Sequence, residues 1–238
     1  MRIVVHPKYT VLSERIKEIP SFFSTRGETI YKGRNEVKVF ETDFGKIVVK
    51  SFCVPHLINR LAYTYLRFSK AERSYAYSLE IMERGFQTPQ PIAYIELFKG
   101  GLISESFYVS GYTDFFLMRN FTWTKRITEE EIEILKAFAR FTAQLHEKEI
   151  YHTDYSPGNI LYKKENDAIL FELIDVNRVQ FKKVSEKMAF QAFQRMDFSV
   201  EMLEITAREY ASQRHLDVEK SVAEIKRLNL KTMRKFRS

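Results

Sequence analysis

An aspartate, Asp154, stands five residues before an asparagine, Asn159, inside Ile150-Tyr151-His152-Thr153-Asp154-Tyr155-Ser156-Pro157-Gly158-Asn159-Ile160-Leu161. No other stretch constrains the fold so tightly. The spacing fits a phosphoryl-transfer loop, in which a carboxylate receives the acceptor's proton and an amide oxygen holds a metal ion. Asp-x-x-x-x-Asn alone is common, so its surroundings decide how it is read. Upstream, Ile132, Leu135, Phe138 and Leu145 recur at helical spacing through 129–146, and Glu129, Glu130 and Glu131 crowd the first turn. Thr128 and Glu131 are placed to form a capping box there. Downstream, Ala168 to Ile174 reads as a buried strand ending on Asp175, where such a loop needs its second oxygen ligand. Helix, loop, hairpin, strand and acid make one continuous pattern.

Each of these residues has an ordinary use when taken singly. A lone Asp caps a turn, a lone Asn tolerates a left-handed backbone, and an isolated His such as His152 is more often structural than catalytic. The ordered set Lys50, Asp154, Asn159, Asp175 makes coincidence improbable. The remaining histidines, His6, His56, His146 and His215, have no metal-ligand spacing and read as structural.

The stretch LHEKEIYHTDYSPGNILY, with FELIDVNRVQF after it, resembles the lipopolysaccharide core kinases, the heptose and Kdo kinase group of the protein-kinase-like superfamily. The likeness runs from about Gly33 to Arg178. It implies an α+β, bilobal protein-kinase-like fold. Residues 1–110 would form a small N-terminal lobe with an antiparallel sheet and one main helix, and 111–238 a mainly helical C-terminal lobe. It further implies ATP and Mg²⁺ as cofactors. The acceptor would be a lipid-linked saccharide, a hydroxyl of a lipopolysaccharide core sugar (heptose or Kdo). By the same likeness Asp154 is catalytic, His152 braces its loop, Asn159 and Asp175 hold the metal, and Lys50 neutralises phosphate charge. Thr153 stands where His-Arg-Asp loops carry arginine, so regulation through an activation-loop phosphate is not expected.

The amino-terminal half suits this frame. Residues 28–32, 37–41 and 46–50 alternate as three antiparallel strands, with turns at Gly33-Arg34-Asn35 and Asp43-Phe44-Gly45. Lys50 closes the third; read alone it would be an exposed strand end. The first turn has one glycine, Gly33, in place of a glycine-rich loop; it would let the backbone approach phosphates, or merely shape a hairpin. A helix over 69–84 ends before Gly85. The position expected to carry the lysine's glutamate partner holds Ser74, with Glu72 and Glu80 out of register. Two more strands, 92–98 and 105–112, lead to Ser110, Gly111 and Tyr112, where backbone groups would hold adenine. Residues 55–68 form an extra aromatic-rich segment, expected to pack on the small lobe because aromatic stripes are usually core. Docking of the membrane or of a lipid-anchored acceptor is the alternative.

Composition narrows the rest. A single cysteine among 238 residues precludes an internal disulfide, and no window approaches the ~18 apolar residues of a membrane span. The N-terminus has no long apolar leader segment, so a cytoplasmic protein, peripheral at the inner membrane, is the expectation. Most of the net charge of +7 comes from Lys226, Arg227, Lys231, Arg234, Lys235 and Arg237, interleaved with Ile225, Leu228, Leu230, Met233 and Phe236. Segment 225–238 would therefore lie on an anionic membrane surface or form a solvated terminal helix. The basic residues do not make a broad face, so no nucleic acid partner is expected. Two further readings compete: a small atypical protein kinase of the RIO type, and a kinase-fold binding module without catalysis. The lack of an Ala-Pro-Glu sequence after Asp175 argues against an ordinary protein kinase, and the retained loop residues argue against a pure scaffold.

Overall fold

The computed structural model describes residues 1–54, 56–121, 127–166 and 168–237. Pro55 of the expected 55–68 segment and Ser238 of the basic tail lie outside the described residues. The chain divides into two compact units, Met1–Glu83 with Thr88–Thr113, and Arg84–Gln87 with Asp114–Ser238.

The first unit is built on a six-stranded antiparallel sheet. Its strands are β1 (Arg2–Val5), β2 (Glu28–Lys32), β3 (Glu36–Thr42), β4 (Gly45–Phe52), β5 (Pro91–Lys99) and β6 (Leu102–Gly111), in the order β1-β5-β6-β4-β3-β2. Period-2 alternation sorts the residues of β4 between two layers. Ile47 and Val49 pack with Leu12, Ile16, Ile19 and Phe23 along helix α1 (Ser13–Phe22). On the other face, Phe52 packs with Tyr94 and with Ala71 and Tyr75 of helix α3 (Lys70–Glu83). Ser69 caps α3, its Oγ accepting from the Glu72 amide at 3.1 Å. Lys38 is buried in β3, and its ammonium donates to the Phe23 and Arg26 carbonyls at the end of α1, at 2.8 and 3.2 Å. These carbonyls lack intrahelical donors, which is why a buried cation is tolerated there.

Three features depart from the expectation. Strand β1 and helix α1 add to the five strands and one main helix anticipated. In 56–68, Leu57, Ile58, Leu61, Tyr65, Leu66 and Phe68 are also exposed, while Ala62 and Tyr63 are half-buried. Helix α2 (Leu57–Tyr65) has no fully buried residue, and polar side chains tie it to the sheet. Arg60 donates to the Ile103 and Lys99 carbonyls, and the Ile103 amide donates to Thr64 Oγ1. These bonds turn the polar stripe inward, so the apolar residues face out.

The second unit contains helix α4 (Glu129–Glu147), where the capping box forms: the Glu131 amide donates to Thr128 Oγ1 at 3.2 Å and the Thr128 amide to Glu131 Oε2 at 2.6 Å. Strands β7 (Phe116–Leu117), β9 (Ile160–Glu165) and β10 (Ala168–Leu173) make one small sheet, in the order β10-β9-β7. Strands β8 (Ile150–His152) and β11 (Val179–Phe181) make another. Phe138 of α4 lies at the centre of the core, stacked on Tyr155 and edge-on to Phe198. Helices α5 (Glu186–Ala192), α6 (Val200–Gln213) and α7 (Val218–Arg237) complete the unit. Val222, Ile225 and Asn229 of α7 are buried against the unit, and Leu228 and Met233 are half-buried. Arg227, Lys231, Arg234 and Lys235 are exposed, as is Leu230, while Lys226 is half-buried and pairs with Glu204.

His146 is buried in this core, with Nδ1 bonded to the Tyr210 hydroxyl at 2.7 Å. Burial, assisted by Arg214, lowers its pKa from 6.5 to about 3. The sign follows directly: in the unfolded chain this imidazole gains a proton below about pH 6.5, while the folded chain refuses it until about pH 3. Its contribution is intact above that upper limit and is lost as pH falls through the window. Urea unfolding at stepped pH should show stability falling by about 1 kcal/mol per pH unit between pH 6 and 4 from this group. His146→Gln should flatten that slope; an unchanged slope would show that His146 does not control it.

Candidate functional site

Everything expected at the loop is assembled within the second unit. His152, on β8, is fully enclosed. The Asp154 amide donates to its Nδ1 at 3.2 Å, so Nδ1 is unprotonated, and Nε2 therefore carries the proton given to the Ile174 carbonyl at 3.2 Å. Burial lowers its pKa, so the imidazole stays neutral. One side chain thus fixes the residue after Thr153 and the residue before Asp175. Asn159 ties the far end of the loop: its Nδ2 donates to the Asp154 carbonyl at 2.8 Å, and its own carbonyl accepts from the Ile174 amide at 3.0 Å. The second bond sets the Asn159 backbone against the residue before Asp175.

Asp175 adopts a left-handed backbone, φ 54° and ψ 40°. Asp tolerates this conformation better than most residues, because its short side chain bonds locally. Here Asn177 supplies the bond, its Nδ2 donating to Asp175 Oδ1. Thr153, in the arginine's place, donates to the Arg178 carbonyl at 3.0 Å, joining the loop to the segment after Asp175. Beneath the loop, Tyr155 is buried with its hydroxyl bonded to Thr142 of α4 at 2.8 Å.

Sequence reasoning missed two arginines. Arg195 pairs with the Asp154 carboxylate, next to a small surface depression lined by His152, Thr153, Gln191 and Gln194. It sits in a turn whose Phe193 and Met196 carbonyls both accept from the buried Asn229 amide of α7, at 2.9 and 2.7 Å. Arg119 lies against Gly158: a Cβ built on that glycine would stand 2.8 Å from the guanidinium carbon. Gly158 therefore gives Arg119 its close approach to the loop.

In the first unit, Lys50 is half-buried on the α3 face of β4, its ammonium 5.3 Å from the Phe52 ring centroid. Ser74 is buried and its hydroxyl returns to the Lys70 carbonyl at 2.9 Å, so no carboxylate occupies that position. Glu72 is engaged elsewhere, by Arg2 at 3.0 Å and the Tyr94 hydroxyl at 3.2 Å. Arg2 also pairs with the fully buried Glu96. Burial, then Glu72, pushes the Tyr94 hydroxyl up to about 12, so it stays a donor. Gly33 lies in the β2–β3 turn, its amide donating to the Asn35 carbonyl and its Cα against the Tyr31 ring. Ser110 is buried in β6, while Tyr112 is exposed. The Gly111 and Tyr112 amides are both used within the sheet, donating to the Gln90 and Lys46 carbonyls.

This loop geometry, between a capped helix and a strand-end acid, defines a protein-kinase-like phosphotransferase. The profile of the lipopolysaccharide kinase (Kdo/WaaP) family matches residues 27–215, and the chain belongs to that family. It is a lipopolysaccharide core kinase, and its family implies ATP as phosphoryl donor. Among solved structures, the chain is similar to WaaP in complex with acyl carrier protein, at TM-score 0.67 and 16% identity over 99% of this chain and 98% of that one. It is also similar to the Rio2 kinase from Chaetomium thermophilum in its ADP/Mg²⁺-phosphoaspartate complex, at TM-score 0.54 and 16% identity over 95% and 70% of the two chains. At these identities the likeness is one of fold. No curated protein matches the chain by sequence.

Removing the two supports of Asp154 should separate their roles. His152→Ala leaves the Asp154 amide and the Ile174 carbonyl without partners inside the protein, and should cost about 2–3 kcal/mol in urea unfolding. Arg195→Ala removes a partly exposed pair and should change stability by no more than about 1 kcal/mol. Equal losses from the two variants would contradict this division.

Proposed function

We propose that the chain transfers the γ-phosphoryl group of ATP to a hydroxyl of a heptose or Kdo residue in the lipopolysaccharide core. The observation that carries the site assignment is the His152 clamp, which holds the backbones of Asp154 and Ile174 in a fixed relation. With them it aligns three oxygen-bearing side chains: Asp154, Asn159 and Asp175. An amide oxygen and a carboxylate suit a hard divalent cation such as Mg²⁺, which commonly takes only one or two protein carboxylates and completes its shell with phosphates and water. Asn159 and Asp175 would hold it. The cation would supply charge neutralisation on the nucleotide phosphates.

Asp154 orients the acceptor hydroxyl and takes its proton as the new O–P bond forms and the bond to the departing ADP breaks. Lys50 neutralises phosphate charge on the donor. His152 acts as a positioning residue: its neutral imidazole places the Asp154 carboxylate and exchanges no proton with substrate. Gly33, Ser110 and Tyr112 are assigned to the nucleotide, with Gly33 admitting a phosphate near its backbone. Little else is needed, because phosphoryl transfer depends mainly on alignment and charge neutralisation. The WaaP complex supports acyl carrier protein as the first protein partner to test. A lipid-linked acceptor supports a location at the cytoplasmic face of the inner membrane; no helix among the described residues is long and apolar enough to cross a membrane.

Transfer of labelled phosphate to core oligosaccharide is the test. Asp154→Asn and Asp175→Asn should each lower kcat by about 10³-fold or more while the fold, followed by circular dichroism, persists. Chelation of divalent cations should abolish turnover, and added Mg²⁺ should restore it. Labelling of a protein acceptor in place of the saccharide would overturn the acceptor; full activity of Asp154→Asn would overturn the site.

A further inference from the structure

We propose that α2 and the residues beside it form a docking surface for an anionic lipid bilayer. The helix is inverted relative to an ordinary surface helix. Its polar residues Arg60 and Thr64 bond to the sheet, while Leu57, Ile58 and Tyr65 are 61%, 82% and 70% exposed. Leu61 belongs to the same outward arc, since residues 57, 58, 61 and 65 lie within about 100° of one another on a helix of 3.6 residues per turn. Leu66 and Phe68, just beyond the helix, are 84% and 56% exposed. An aliphatic and aromatic stripe of this size on a water-facing helix is unfavourable unless something covers it.

Charge selects the cover. No acidic residue occurs between Cys53 and Ala71, whereas Arg60, Arg67 and Lys70 do. The next acid along the sequence, Glu72, is taken by Arg2 and Tyr94. A second copy of this chain would bring like charges together across such an interface. A bilayer of anionic lipids satisfies both halves of the surface, with aliphatic groups at the acyl boundary and cations among headgroups. Tyr65 is suited to that boundary, having an apolar ring and a polar tip. Among the described side chains the basic tail offers less apolar surface than α2, since Ile225 is buried and Leu228 and Met233 are half-buried. The inference concerns binding alone and does not depend on the catalytic assignment.

The test is flotation of the full-length chain with vesicles of phosphatidylcholine alone or mixed with phosphatidylglycerol, in the absence of nucleotide. A polarity-sensitive dye on Cys53, which is exposed and is the only cysteine, reports contact beside α2. Wild type should float with the anionic vesicles and shift the dye to the blue. A triple variant, Ile58→Ser with Leu61→Ser and Tyr65→Ser, should bind at least about tenfold more weakly, with an unchanged melting temperature. Lys231→Ala with Arg234→Ala and Lys235→Ala should lose at most about threefold, since this removes charge without insertion. Failure of wild type to float, or undiminished flotation of the α2 triple variant, would overturn the proposal. So would concentration-dependent dimerisation, or capture of purified acyl carrier protein, that displaces vesicles and is abolished by the α2 changes.

Discussion

The neutral imidazole of His152 is the interaction on which the rest of the second unit depends. A protonated ring could not accept the Asp154 amide, and the opposite tautomer could neither accept that amide at Nδ1 nor donate to the Ile174 carbonyl at Nε2. Burial removes the first alternative by penalising charge, and the two backbone partners remove the second. The result is a single protonation state and a single ring orientation. Because the partners are the Asp154 amide and the carbonyl before Asp175, this one ring sets how those two stretches of backbone stand relative to each other. Asn159 closes the same circuit from the other end of the loop, through bonds to the Asp154 carbonyl and the Ile174 amide.

Support for this circuit comes from helices that carry none of its chemistry. Thr142 of α4 holds the Tyr155 hydroxyl, and Phe138 stacks on its ring, so the loop is anchored one residue after Asp154. Asn229 of α7 holds the two carbonyls that flank Arg195, the residue whose guanidinium meets Asp154. A buried amide with both protons donated to backbone carbonyls is costly to disturb, which makes the Arg195 turn as fixed as the loop it faces. The last helix thus contributes to the site through its buried face, and this accounts for the inward turn of Ile225 and Val222.

What could be seen in the sequence follows from how far apart the interacting residues lie. The loop was legible because its bonding is local, Asn159 reaching back to the Asp154 carbonyl, and the Thr128–Glu131 box because capping is local. Strands β2 to β6 were legible through alternation and turn residues. Strand β1 was too short to show a period, and Pro20 interrupts the pattern of α1. Arg195 lies 41 residues from Asp154, and nothing in its neighbourhood announces that partner. For α2 the periodicity revealed an apolar face but not its direction: Arg60 and Thr64 decide that by bonding to Ile103, and such a choice depends on tertiary contacts.

The two departures from an ordinary protein kinase become one statement when their replacements are compared. At Ser74 no carboxylate is present to pair with a lysine, and α3 is instead fastened by Glu72 through Arg2 and Tyr94. At Thr153 no arginine is present to meet a phosphate, and the hydroxyl instead fastens the loop to the Arg178 carbonyl. Both replacements exchange a contact that can be made and broken for one built into the fold. Arg2–Glu72 has a further constraint, since Arg2 also neutralises Glu96, a carboxylate with no exposure to solvent. Releasing α3 would disturb the only cation paired with that buried charge among the described residues, which is strongly unfavourable. In both places a side chain bonded within its own unit stands where a switchable contact would otherwise be made.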